Sequence, residues 1–437
     1  MNPNPPFFLL LLAFNVQAAD LLSVHRDAVA FDATFAAARA QHRASQEKSP
    51  QGRAGLLPTV GLTAATTAND SDSTSRSTGT TTSTQYNNHS WTVTLTQPLF
   101  RWQNWTTWKK GELAVIQSEA QLSAAKQDLV LRVAQAYFDI LLAQEVLATT
   151  RAQQAAIAQQ LESAKRNFEV GTTTVTDTHE AQARFDLALA QELAAQNDLT
   201  VKHQALAVLT GKMPDRLNPL RPGSQLTAPQ PNDMAPWAAM AEEANLTVRQ
   251  ARISLDIADQ EAEAQRAGHY PTLDLTATHG RSGTGYSSSS STGSDSVSST
   301  LGVTLTLPIF SGGATVSKTR EAVALREKAL ADLDVARRAA ALAARQAWLG
   351  VTSGLAQVKA FEAALASSQS ALDSNKLGYE VGVRINIDVL NAQGQLFDTR
   401  QKLVKARLES LMSQLKLKAA AGNLTEADVA AVNALLE

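Results

Sequence analysis

Few of the bond-making side chains in this 437-residue chain are grouped. Its seven His are scattered, no Gly-rich phosphate loop precedes a helix, and no Ser, His and Asp share a nucleophile's motif context. The chain has no Cys, which removes thiolate nucleophiles, thiolate metal sites, disulfides and an acylated N-terminal Cys. The expectation is therefore no enzyme and no cofactor. The polar residues that do cluster surround two short turns. One, over 167–180, reads N-F-E-V-G-T-T-T-V-T-D-T-H-E; the other, over 377–391, reads L-G-Y-E-V-G-V-R-I-N-I-D-V-L-N. The E-V-G core, with Gly171 or Gly382, and the Asp six residues later recur about 211 positions apart, the mark of a tandem repeat. The turns differ in chemistry. Tyr379 stands where the first has Phe168, and Asn391 where it has Glu180. Arg384 can fork onto a carboxylate and the Tyr379 hydroxyl can donate to one, while the first turn offers Thr176 and Asp177. That is the chemistry of a reversible polar lock. Asp177 and Asp388 also open return helices, where an acid caps free N–H groups, and the two roles are compatible.

The elements that carry these turns follow from periodicity. Residues 19–48 read as a helix, ended by Ser-Pro-Gln-Gly at 49–52. The pattern then alternates: Val60, Leu62 and Ala64 against Thr59, Gly61 and Thr63, and later Trp91, Val93 and Leu95 against Thr92, Thr94 and Thr96. Period two with one apolar and one small polar face is the pattern of a membrane-barrel strand. The stretch 69–90 between them is Ser-, Thr- and Asn-rich and reads as a solvated, mobile loop. From 102 to 168 the apolar positions Leu129, Val133, Ala136, Ile140, Ala143 and Leu147 fall at 4-3-4-3 spacing, a helix that coils against partners and runs ~100 Å. A return helix over 177–209 follows.

The second half repeats the plan: a helix over 237–267, alternating strands around Leu273–Leu275–Ala277 and Leu301–Val303–Leu305 separated by a polar loop at 280–300, a long helix over 314–376, and a return helix over 387–421. The expected organisation is a secretory leader 1–18, a first repeat 19–211, a linker 212–236, a second repeat 237–421 and a tail 422–437. Each long helix matches the two shorter ones of its half laid end to end, so a rod with strands at one end and the turn at the other is expected. The Trp102, Trp105 and Trp108 cluster fits either the rim of the barrel or ordinary helix packing.

Four strands are too few to close a barrel, and an open edge leaves backbone groups unpaired in lipid at several kcal/mol each. Several chains must therefore share one. A net charge of −2 offers no field for nucleic acid. A periplasmic coiled-coil adaptor without a pore is the alternative, and the four Thr-rich strands argue against it.

The ordered set Q-P-L-F at 97–100, A-Y-F at 136–138, L-P-I-F-S-G-G at 307–313, E-V-G at both turns, I-D-V-L-N-A at 387–392 and the tail L-K-A-A-A-G-N-L-T-E-A-D at 417–428 resembles the TolC family across both halves. The resemblance implies an α+β membrane protein: a homotrimer with a shared twelve-stranded β-barrel in the outer membrane of a Gram-negative bacterium, in contact with its lipid, and a long antiparallel α-helical coiled-coil tunnel in the periplasm. It implies the passive exit duct of tripartite efflux or type I secretion, opened at its tip by a periplasmic adaptor (a membrane fusion protein) and an inner-membrane transporter of ABC or RND type. Thr176, Asp177, Tyr379 and Arg384 match the family's polar gate lock, with Gln160 in a further contact whose acidic partner position holds Lys376 here. Asp388 matches a position in the pore constriction. The family's second acid there is Asn391, so a weaker cation preference is expected.

Overall fold

The computed structural model describes residues 19–172, 174–214, 216–221, 223–285 and 293–436. The expected leader, 1–18, lies outside them. In chain order the elements are α1 (Leu21–Phe31), α2 (Ala33–Gln46), α3 (Lys48–Ala54), β1 (Thr59–Thr74), β2 (Thr81–Phe100), α4 (Trp102–Glu169), α5 (Val175–Thr210), α6 (Met234–Ala244), α7 (Leu246–Arg266), β3 (Thr272–Thr284), β4 (Ser294–Thr306), α8 (Ala314–Glu380), α9 (Asn386–Ala420) and α10 (Glu426–Asn433). No helix among the described residues is long and apolar enough to cross a membrane.

The chain divides into two compact units. Of the described residues, one comprises those up to 39, 122–248 and from 337 on, and the other those over 40–121 and 249–336. In the first, Leu21, Val24 and Ala28 of α1 pack on Leu129, Val133, Tyr137 and Ile140 of α4, Leu206 of α5, Leu411 and Leu415 of α9 and Val432 of α10. Each fully buried Leu or Ile contributes ~1.5–3 kcal/mol. Tyr137 is completely buried, and its hydroxyl donates to the carbonyls of Asn218 at 2.8 Å and Ala19 at 3.2 Å. Burial pushes its pKa up. The segment after α5 meets the chain's end here, with Leu220 bridging Leu436.

The expected single helix over 19–48 is instead three. Asp32 leaves helical geometry at ψ 119°, and its carboxylate accepts from the Phe35 N–H at 2.7 Å, capping α2. Arg132 of α4 forks onto the same carboxylate at 2.9 and 3.1 Å. Nor does Ser-Pro-Gln-Gly end the helical run. Pro50 occupies the first turn of α3, where a missing N–H costs nothing. Gly52 lets α3 approach α4, since a Cβ there would lie 2.7 Å from the Trp108 backbone. Gly111 of α4 plays the reciprocal part against the Lys48 carbonyl.

The second unit holds one antiparallel sheet in the order β1-β2-β3-β4, so β2 and β3 join the two halves of the sequence. The polar stretch 69–90 is not a loop. β1 and β2 pair from Thr59↔Thr96 out to Thr74↔Thr81, leaving only a tight turn. Thr is β-branched and favours extended backbone. Polar cross-strand bonds replace apolar packing there: Thr74 to Thr81 at 2.9 Å, and Gln85 onto Asp70 at 3.0 Å. Likewise β3 and β4 pair out to Thr284↔Ser294, and the remainder of 280–300 lies partly outside the described residues. The register puts Val60, Leu62, Val93, Leu95, Ala277, Leu301 and Val303 on one face and Thr, Ser and Gly on the other. The apolar face is uncovered within the chain, with Leu301 75% and Leu62 69% exposed. Trp105 and Trp108 make an edge-to-face pair at 4.9 Å.

Candidate functional site at the hairpin tips

Both turns are built alike. Helix α4 ends with Gly171 at φ +78°, whose N–H reaches the Phe168 carbonyl at 3.0 Å, while the Thr172 N–H reaches Asn167 at 2.9 Å. Helix α8 ends with Gly382 at φ +78°, with matching bonds from Gly382 to Tyr379 at 3.1 Å and from Val383 to Gly378 at 2.8 Å. This six-to-one, five-to-two pattern needs a left-handed residue, which is why each turn carries a Gly. Asp177 closes the first turn. Its Oδ2 accepts from the Thr174 N–H at 3.0 Å and hydroxyl at 2.9 Å, and its own N–H donates back to Thr174 Oγ1 at 3.3 Å. Asp388 makes a looser version, 3.5 Å from the Ile385 N–H.

The polar residues of the second turn are held within the chain. Arg384 lies along Gly378 and places Nη1 3.7 Å from Asp388 Oδ2, with its side chain 58% exposed. Tyr379 is half-buried, and its hydroxyl accepts from Asn167 Nδ2 at 3.2 Å, leaving the phenolic proton for a further acceptor. Asn391 accepts from Arg184 Nη2 at 3.0 Å. Thr176 is exposed on the first turn of α5, Gln160 is half-buried on α4, and Lys376 is exposed on α8. The structure thus gathers Thr176, Asp177, Tyr379, Arg384, Asp388 and Asn391 at two adjoining hairpin tips. It engages Asp177 with Thr174 and Arg384 with Asp388, each within its own turn.

Two residues that sequence reasoning missed complete the site. Asn167 sits one residue before Phe168 and spans to the other hairpin. Arg184 lies seven residues past Asp177 on α5, two helical turns along the same face. That spacing was the available signal. Around the tip the apolar residues Phe168, Val170, Val381, Val383 and Ile385 are exposed, and the apolar clusters behind it are small: Ile157, Ala188 and Leu390, and Leu161, Ala164 and Ala181.

A two-faced strand sheet whose polar face is small and whose apolar face is bare, joined to long helical hairpins, defines a channel-forming protein of the outer membrane. The comparisons agree. The family model described as "Outer membrane efflux protein" matches residues 25–212 and 237–423. The chain is 32% identical to the outer membrane protein TolC of Vibrio cholerae, over 98% of this chain and 96% of that one. It is 33% identical to the alkaline protease secretion protein AprF of Pseudomonas aeruginosa, over 98% and 89% of the two chains. In fold it is similar to the Campylobacter jejuni CmeC outer membrane channel, at a TM-score of 0.80 and 16% identity over 95% and 90% of the chains. This chain belongs to the outer membrane efflux protein family, the TolC family. It is an outer-membrane efflux or type I secretion channel, a transport protein and not an enzyme.

Proposed function

We propose that three copies of this chain close one twelve-stranded barrel and one continuous helical duct. The duct conducts passively and is gated where the E-V-G turns converge. The observation that carries this reading is the sheet. Within the chain β1 and β4 are paired on one side only, and bare edges in lipid cost several kcal/mol per unpaired group. Closure against further copies removes both edges. Family members work as trimers in tripartite efflux and secretion systems, which supports the number three. In this reading 19–211 and 237–421 are the two repeats behind a leader over 1–18, and 212–236 with 422–437 form a belt around the helices.

At the gate, Arg384 and Tyr379 of one tip reach Thr176 and Asp177 of a neighbouring tip and hold the hairpins inward. Gln160 lies on the same approach, though with Lys376 opposite it the acidic partner is missing. Asp388 from each chain lines the constriction, with Asn391 one turn on. Partner binding at the tips supplies the differential free energy for opening. The partners are a periplasmic adaptor and an inner-membrane transporter of ABC or RND type. The likeness to a protease secretion protein favours a polypeptide cargo alongside small compounds.

The test is direct. Purified protein is expected to run as a heat-resistant trimer and to insert into planar bilayers with discrete conductance. Multivalent cations added on the tip side should block it, and Asp388→Ala should abolish that block. A detergent-independent monomer without conductance would end this reading, and block that survives Asp388→Ala would move the ring elsewhere.

A further inference from the structure

The seam where α9 lies on α4 and α5 is poorly filled. Leu390 packs on Ile157 and Ala188 with Val389 buried beside it, but the next buried residues on either side are the polar Asn386 and Gln393. Asn386 and Gln393 are each 6% exposed, and neither side-chain carbonyl oxygen has a hydrogen-bond partner. At Gly394 nothing lies within 4 Å of where a Cβ would stand. There a cleft of about 510 Å³ opens between the three helices, lined by Thr150, Gln153, Gln191 and Asp398 among others. Apolar packing therefore fixes the tip-side part of α9 less firmly than its C-terminal part, where Leu411 and Leu415 sit in the main core, and buried oxygens without donors oppose it. Two charged bridges cross the seam and hold the second hairpin to the first: Arg184 Nη2 to Asn391 Oδ1 at 3.0 Å, and Arg400 Nε to Glu145 Oε1 at 2.8 Å.

We propose that the Arg184–Asn391 bond is an in-chain strap that sets the resting position of α9 and must break for the tip to open. It acts in series with the lock between chains, and it rests on the gate reading given above. The strap also gives Asn391 a role apart from pore lining. Its carbonyl is committed to a guanidinium on α5, and a carboxylate at the same place would convert the bond into an ion pair. Substitution by Asp therefore tightens the tip, a direction that a purely structural contact does not anticipate.

The full chain in planar bilayers tests this, with heat-resistant trimer as the folding control and Arg384→Ser as the comparison. Arg184→Ala is expected to raise the ratio of open to closed dwell by about three- to a hundredfold, the effect of one exposed charged contact repeated in three tips. Asn391→Asp should lower that ratio, and should lose this effect in the Arg184→Ala background. Asn391→Ala, at an exposed position, serves the same purpose if Arg184→Ala fails to assemble. An open Arg384→Ser channel beside an unchanged Arg184→Ala overturns the strap and leaves the gate. An Asn391→Asp effect of equal size in both backgrounds overturns it too, because the added charge then acts through the pore alone. If neither Arg384→Ser nor Arg184→Ala moves gating, the gate reading fails and the strap with it.

Discussion

Removing the polar residues of the second turn tests the gate most sharply, because the structure sets how much each is worth. Tyr379→Phe deletes a half-buried hydroxyl that accepts from Asn167 at 3.2 Å, a bond worth ~0.5–1.5 kcal/mol. Arg384→Ser deletes a pair with Asp388 at 3.7 Å whose guanidinium is 58% exposed, worth ~0–1 kcal/mol after screening. The Tyr379–Asn167 bond spans the two hairpins and gives ~0.5–1.5 kcal/mol per tip, or about 1.5–4.5 kcal/mol when three tips move as one, whereas the Arg384–Asp388 pair lies within one turn and holds nothing across. A shift of that size moves an equilibrium by about tenfold to two-thousandfold. On the gate reading, in which the parent rests mostly closed, the double variant should therefore spend far more of its time conducting in a planar bilayer. The single variants separate two pictures. If Arg384 acts only on Asp388, Arg384→Ser changes the dwell ratio less than Tyr379→Phe does. If it reaches Thr176 and Asp177 of the next chain, Arg384→Ser exceeds about fivefold per tip, the most its in-chain pair is worth. Unchanged conductance and dwell times in properly assembled trimers would remove both residues from the gate.

Other perturbations probe the parts that position the tip. Gly382→Ala meets no atom within 4 Å, so its cost is backbone strain alone at φ +78°, ~1–2 kcal/mol; faster proteolysis at the tip with unchanged trimer melting is expected. Asp32→Ala removes both the cap on Phe35 and the acceptor of the Arg132 fork, together ~2–4 kcal/mol, and should lower the trimer's melting temperature, while Asp32→Asn retains the cap and loses less. His25 is buried at 4% exposure, and burial holds its pKa below the usual value, offset in part by Glu426 and assisted by Lys126 and Arg26. Its folded pKa is depressed, so the unfolded chain takes up the proton first. Stability is whole above the ordinary value of about 6.5 and falls as the pH drops below it. His25→Gln should flatten the melting curve's dependence between about pH 6.5 and pH 5.

Where periodicity was strong, the fold was legible. Of the positions spaced 4-3-4-3, Leu129, Val133, Ile140, Ala143 and Leu147 are buried, and the period-two strands fall in one sheet with one apolar face. The errors came from reading composition as conformation. Ser/Thr-rich stretches such as 69–90 were expected to be loops because they bury nothing. A hairpin needs only backbone pairing and β-branched residues to extend beyond its apolar band, and β1–β2 does so out to Thr74. At residues 49–52, Pro and Gly read as a stop although a first-turn Pro is harmless and a Gly against Trp108 is a packing device. The polar residues singled out at 176, 177, 379, 384, 388 and 391 lie at the two turns, but their partners were not legible. Asn167 and Arg184 are ordinary surface residue types, and nothing local in the chain tells that α9 will lie across α5.

The same comparison explains why movement should concentrate at the tips. Near the chain's ends in the first unit, α1, α4, α5, α9 and α10 share one large apolar core that includes Tyr137, Leu411 and Leu415, all fully buried. Toward the turns that core thins to clusters such as Leu161, Ala164 and Ala181, and the helices rely on Tyr379–Asn167, Arg184–Asn391 and Arg400–Glu145. Local opening free energy follows buried apolar contact, so the lowest-cost excursions lie where the contact is least. Hydrophobic packing is non-directional and falls off over many small contacts, whereas a few directional polar bonds break together over a short displacement. A tip held by the second kind of contact and anchored by the first can switch between two positions without loosening the assembly. For that reason the gate proposed above places the conversion of a partner's binding energy into opening at the polar residues 184, 379, 384 and 391 rather than in the larger buried core.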